Sequence, residues 1–212
     1  MGQRLVVTVT AQQKEQMKIY YHWDAYTGST FGDLQHLIGV IKPLREAGKG
    51  TSEILLAIIH ALEKNGGGIN GGQDSDEWKY IKQLYPDEAF SPEVNRNEGL
   101  VSMTEQDMMD VQGWSEGDAE INLDDGTFYN GVHFPYEKEV WMHDRVEYDE
   151  ADDMDEAEEL YEKLNVYGGN GSSLFEGDFD EIDGKYFDWL TATSGGTKHF
   201  RDRHNMVWEG VL

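Results

Sequence analysis

Eleven carboxylates crowd into the nineteen residues from Asp144 to Glu162: Asp144, Glu147, Asp149, Glu150, Asp152, Asp153, Asp155, Glu156, Glu158, Glu159 and Glu162. A second cluster follows at Glu176, Asp178, Asp180, Glu181, Asp183 and Asp188. Carboxylates repeated along a helix or strand can reproduce the charge density of a nucleic-acid backbone and so occupy a basic groove. Acidic runs are ordinarily solvated helix faces. Here the excess is large, and Tyr148, Tyr161, Tyr167, Phe175 and Phe179 are interleaved with the acids. Rings among charges supply the contact area an interface needs. The candidate partner-binding residues are the eleven acids of 144–162 together with Asp178, Asp180, Glu181 and Asp183.

Other chemistries are weaker in the sequence. Asp178, Asp180 and Asp183-Gly184 resemble a calcium loop, but the spacing departs from the EF-hand pattern and the closing Glu is missing. No metal and no cofactor is expected. His22 and Asp24 lie in an aromatic block, Tyr20-Tyr21-His22-Trp23-Asp24-Ala25-Tyr26-Thr27. On a strand they share one face with Tyr20 and Tyr26, with Ser29 and Thr30 close by, which suits a small-ligand or acid–base site. The plainer reading is a strand buried on one face with His22 hydrogen-bonded. The one basic patch, Lys198, His199, Arg201, Arg203 and His204, follows a Gly-rich turn that can cradle a phosphate. Internal pairing with the acidic surface explains it equally well. His36, His60, His133 and His143 are scattered and read as structural.

The 212 residues hold 42 acids against 17 bases, a net charge of −25, with no cysteine. The charge is uneven. Residues 1–73 carry seven Lys or Arg against six Asp or Glu, whereas 100–190 carry four against twenty-seven. Such a surface repels phosphate backbones and acidic lipids and attracts basic proteins. Absence of cysteine excludes disulfides and thiolate metal sites and fits a reducing cytoplasm. No run nears the roughly 18 apolar residues of a membrane span. Met1-Gly2 is followed by Val6 where a myristoylation signal needs Ser or Thr. Hydrophobic residues are only 38% of the chain, but 12% are aromatic, and large rings can still build a core.

The elements that would position these residues follow from periodicity. Residues 3–10 and 17–26 read as a β-hairpin. Phe31, Leu34, Leu37, Ile38 and Ile41 fall on one face of a first helix, which Pro43 should end or kink. Ile54, Leu55, Ile58, Ile59 and Leu62 fall on one face of a second, capped at Thr51 or Ser52 and stopped at Asn65-Gly66. Gly66–Gln73 reads as a flexible loop and candidate boundary. It would separate a near-neutral element, 1–73, from an acidic region, 74–212, that completes the same domain or forms a subdomain. A short helix is expected over 74–85, with Trp78, Ile81 and Tyr85 inward. Thr104 to Asp107 reads as a capping box for another, holding Met108 and Met109. Residues 119–134 form a hairpin about Asp124-Asp125-Gly126, and Val140–His143 another strand. Residues 154–165 read as an acidic helix with Met154, Ala157, Leu160 and Leu164 as its apolar stripe. Tyr186–Thr193 and Asn205–Leu212 read as late strands. The fold class is α+β: a mixed or antiparallel sheet, from the N-terminal hairpin plus late strands, covered by helices and presenting an acidic face.

The opening Met1-Gly2-Gln3-Arg4-Leu5, with Tyr20-Tyr21-His22-Trp23 and Ala25-Tyr26-Thr27, resembles a group of uncharacterised accessory proteins from phages and prophages of Gram-positive bacteria. It covers about the first thirty residues. The resemblance implies a small viral protein working in the bacterial cytoplasm, and brings no catalytic residues. Joined to the charge, it leads to the expectation of a non-enzymatic DNA mimic of anti-CRISPR or anti-restriction type, whose partner is a basic, nucleic-acid-binding host protein. Two alternatives stay open: an anti-defence protein that binds or cleaves a nucleotide through His22, Asp24 and the Lys198–His204 region, and a virion structural or assembly protein.

Overall fold

The structure, a computed structural model, describes residues 4–25, 27–132, 152–159, 175–194, 200–201 and 207–208. Strands β1 (Leu5–Ala11) and β2 (Lys14–Tyr21) pair antiparallel about a two-residue turn. Gln12 and Gln13 both take positive φ, 54° and 59°, the backbone of a type I′ turn, whose twist matches that of the flanking strands. Two helices follow, α1 (Thr27–Glu46) and α2 (Thr51–Lys64). Helix α1 runs through Pro43 instead of ending there. The carbonyl that would meet the ring belongs to Gly39, and the Pro43 carbonyl still accepts the Ala47 N–H at 3.1 Å. Helix α2 is capped at Gly50, one residue before the expected Thr51, with Glu53 reaching back to the Gly50 N–H at 3.1 Å.

The Gly-rich segment is built into the sheet and is not a free loop over its whole length. Gly68–Ile69 form β3, parallel to β4 (Leu100–Ser102), and Ile69 is fully buried. The amides of Gly67, Gly68 and Asn70 donate to Leu62, Gly99 and Val101. A Cβ on Gly67 would stand 2.4 Å from the carbonyl oxygens of Glu98 and Gly99, so only glycine permits this approach.

Helix α3 (Asp76–Leu84) starts at Ser75, whose hydroxyl accepts the Trp78 N–H. Helix α4 (Glu105–Gln112) starts at Thr104, which accepts from Asp107 as the capping signal foretold. Its buried anchor is Val111, not the expected methionines, and Met109 is exposed. Strands β5 (Gly117–Asn122) and β6 (Thr127–Asn130) form the hairpin about Gly126, and β7 (Glu176–Asp178) adds to β6. The expected strand over Tyr186–Thr193 is helical: α5 spans Ile182–Ser194, after a 3-10 turn at Phe179–Glu181. Phe179, Ile182 and Tyr186 recur at helical spacing, all are buried, and the Tyr186 ring stacks on Phe31 of α1 at 5.5 Å. Val207–Trp208 pair with Phe200–Arg201 as a two-stranded sheet, β8 and β9.

The main sheet has seven strands in the order β3-β4-β2-β1-β5-β6-β7. β1 is parallel to β5 and antiparallel to β2, so the sheet is mixed and the fold α+β. One face is apolar. Leu5, Val7 and Val9 of β1, Met17 and Ile19 of β2, and Ile121 of β5 meet Phe31, Leu34 and Ile38 of α1 and Ile58 of α2 in one core. The other face carries a smaller cluster, in which Val111 of α4 packs on Val6, Tyr20 and Leu100. Toward β5, β6 and β7 this second face becomes polar.

Candidate functional site

Along β5 and β6 the side chains alternate. Ala119, Ile121 and Phe128 are buried, while Asp118, Glu120 and Tyr129 are exposed. The register places Tyr129 between Glu120 of β5 and Glu176 of β7, and pairs Thr127 with Asp178. Same-face residues stand about 7 Å apart along a strand and about 5 Å across to the next. Glu120, Glu176 and Asp178 therefore line one open cleft of about 490 Å³, joined by Glu181 from the 3-10 turn; its rim includes Tyr129, and Lys185 is the one basic side chain of the lining among the described residues.

Two of these acids are held in place. Glu120 accepts from the Thr10 hydroxyl at 3.1 Å, and Glu181 from the Asp178 N–H at 3.0 Å while facing Lys185 at 3.9 Å. The polar track continues toward α4. Asp118 accepts from Gln112 at 2.8 Å and from the Ser115 hydroxyl at 2.7 Å. Gln112 in turn accepts from Lys18 at 2.5 Å, and the buried Lys18 ammonium also meets Glu15 at 3.0 Å and Thr8 at 3.4 Å. Carboxylates fixed this way, beside an exposed ring, suit pairing with Lys and Arg side chains of another protein.

Of the expected partner-binding acids, Asp178 and Glu181 enter the cleft. Asp180 forms an ion pair with Lys42 of α1, and Asp183 accepts from Gln35 at 2.6 Å, so both are engaged within the fold. Residues 154–159 are helical. Asp152, Asp153, Asp155, Glu156, Glu158 and Glu159 are all exposed, and Ala157 alone of their stretch is buried. Asp153 caps this helix, its carboxylate accepting the Asp155 and Glu156 N–H groups, and Glu156 reaches back to the Asp152 N–H. Asp144, Glu147, Asp149, Glu150 and Glu162 lie outside the described residues, as do the expected strand Val140–His143 and the later half of the acidic helix.

The His22–Asp24 strand face does not form. β2 ends at Tyr21, and the chain bends so that the His22 N–H bonds to Arg96 at 3.2 Å. Asp24 is buried in the connection to α1, where its carbonyl accepts the Thr30 hydroxyl at 3.0 Å. His22 remains half-buried, with Nδ1 2.7 Å from the Tyr20 hydroxyl. Lys198, His199, Arg203 and His204 lie outside the described residues, and Arg201 is placed only by its backbone in β8. Among the described residues no group of three His, Cys, Asp or Glu is arranged to hold a metal ion, and no helix is long and apolar enough to cross a membrane.

Two features escaped the sequence. The buried Lys18 carries no local sign of its burial, because Gln112, which accepts its hydrogen bond, lies far along the chain. Glu120 was hidden in a short hairpin, away from the acidic clusters. Period-2 alternation of Asp118, Glu120 and Asn122 was the signal that could have found it. No family model, no curated protein and no solved structure matches this chain.

Proposed function

We propose that this is a phage-type accessory protein, acting in the host cytoplasm as a non-enzymatic binder that occludes the basic, nucleic-acid-binding surface of a host protein. The observation that carries this reading is the cleft at β5, β6 and β7, where Glu120, Glu176, Asp178 and Glu181 converge around Tyr129. Three carboxylates spaced by strand geometry, with Glu181 from the adjoining 3-10 turn, present a compact array of negative charge, and the ring adds the desolvated contact that charge alone lacks. The net charge of −25 extends the attraction and speeds encounter with a basic partner. The six exposed acids of 152–159 widen the same kind of surface. The opening residues, which resemble phage and prophage proteins, supply the biological setting.

The test is capture from a Gram-positive lysate at low salt, elution by a salt step, and competition with duplex DNA. The expected result is a nucleic-acid enzyme released by salt, displaced by DNA, and lost when Glu120→Gln, Glu176→Gln and Asp178→Asn are combined. A partner retained by that triple variant, or indifferent to DNA, overturns the reading.

A further inference from the structure

At the opposite end of β1 and β2 from the turn, four rings form a continuous row. The Trp23 indole meets His22 edge-on at 4.9 Å, His22 lies 6.1 Å from Tyr20, and Tyr20 meets Trp114 edge-on at 5.6 Å. Trp114 arrives from the end of α4, which Val111 anchors on Tyr20 and Val6. The two ends of the row are open, Trp23 being 46% and Trp114 44% exposed. Three tryptophan side chains are described, and these two are the exposed ones; Trp78 packs against the core. An indole left in water costs hydrophobic free energy, so two in one row point to a surface that something covers.

Two arginines stand beside the row, and one of them, Arg4, faces the carboxylate of Glu116. Arg4 and Arg96 both act on the Tyr20 hydroxyl, partly offsetting the burial that raises its pKa. Arg4 precedes β1 with the parity of Val6, which puts it on the face that carries Tyr20. Glu116 faces Arg4 at 3.7 Å. Arg96 is exposed, and no carboxylate among the described residues pairs with its guanidinium. The chain has only six arginines against 42 acids, so one that meets no carboxylate among the described residues, beside exposed indoles, is a local departure from the surrounding potential. When the Tyr20 hydroxyl donates to Nδ1, His22 carries its hydrogen on Nε2 and offers a donor from the row.

We propose that this row is a binding site for a mononucleotide: a planar heterocycle that stacks on Trp114 or Trp23 and a phosphate held by Arg96 and Arg4. Indole faces take any base by stacking, and a guanidinium fork matches phosphate oxygens. The two arginines exclude a quaternary ammonium, which would otherwise suit an aromatic cage. The net charge of −25 excludes a long nucleic acid, because every phosphate beyond the arginines meets repulsion. The site lies on residues distinct from the acidic cleft and stands or falls independently of it.

The test uses the full chain with AMP, adenosine and ribose 5-phosphate, read by titration calorimetry and by ligand-observed saturation transfer NMR. AMP is expected to bind saturably, with adenosine and ribose 5-phosphate each about tenfold weaker, since each lacks one of the two contacts. Arg96→Ala and Trp114→Leu should each weaken AMP about tenfold, and Arg96→Lys should fall between. Arg96 is a surface side chain, so its variant decides the question even if Trp114→Leu disturbs α4. The proposal is overturned if AMP does not bind, if adenosine binds as well as AMP, if Arg96→Ala binds AMP as the parent does, or if a single-stranded oligonucleotide binds more tightly than AMP.

Discussion

The carboxylate of Glu77 on α3 accepts the backbone N–H and the hydroxyl of Thr104, at 3.0 and 2.7 Å, and so ties α3 to the first turn of α4. A third bond comes from the Met103 N–H at 2.6 Å, and the side chain is wholly buried. A carboxylate at a helix N-terminus also meets the positive end of the helix dipole. Replacing Glu77 by Ala strands these donors away from water. A loss of about 2–4 kcal/mol of stability is expected, read as a lower urea midpoint. Glu77→Gln should also destabilise, because its amide NH2 is set against an N–H.

The same residue sets a pH dependence. Burial is the largest influence on Glu77 and raises its pKa above the ordinary carboxylate value; the Thr104 and Met103 hydrogen bonds oppose that, and Asp107 adds to it. The folded chain therefore holds this proton more tightly than the unfolded chain. The stability it contributes is fully present below the unfolded pKa, about 4.3, and is lost as pH rises through the folded value. Urea titrations of the parent and of Glu77→Gln at a series of pH values should show the parent's stability relative to the variant falling from acid toward neutral pH. A difference constant with pH would show that Glu77 does not titrate this way.

The turn between β1 and β2 is strained by its residues. Gln12 and Gln13 hold positive φ, which costs an L-residue with a side chain about 1–2 kcal/mol, whereas Asn-Gly suits a type I′ turn. Converting Gln12→Asn and Gln13→Gly should raise stability by about 1 kcal/mol. The Gln13 N–H that donates to Asp124 is kept. An unchanged melting temperature would argue against strain at this turn.

Gly67→Ala should loosen the sheet at its β3 edge. The new methyl meets two backbone oxygens that cannot swing aside, and overpacking of this kind costs about 1–3 kcal/mol. Hydrogen exchange should report it locally. The amides of Gly68 and Asn70, which donate to Gly99 and Val101, should lose protection before those of β1.

Tyr129→Ala separates contact from charge at the acidic cleft. Tyr129 is 42% exposed, so its removal should leave the melting temperature nearly unchanged. If the ring anchors a partner, binding should fall by about 2 kcal/mol. A partner held by charge alone would bind the variant normally and still be released by salt.

Much of this molecule is readable along the chain because the determinants are local. The apolar faces Phe31–Ile41 of α1 and Ile54–Leu62 of α2 repeat at helical spacing, and any helix built on them must bury those residues. The hairpins of β1–β2 and β5–β6 follow from alternation and from an Asp-Gly turn. The excess of acid, and its absence from the first third, is a property of composition. Other features depend on partners distant in sequence. Tyr186–Thr193 suits strand or helix by local preference, and the Tyr186 ring stacked on Phe31 goes with the helix. Gly68–Ile69, one strand-favouring residue among glycines, are too short a run to read as a strand and are extended because β4 offers an edge to pair with. Glu77 looks like one more surface acid until α4 supplies three donors to it. How many carboxylates there are is a matter of composition, but which of them share a cleft follows from the pairing of β5 with β6 and β6 with β7. Strand register is a long-range choice, made when one face of the sheet buries its apolar side chains and turns the alternate ones to solvent.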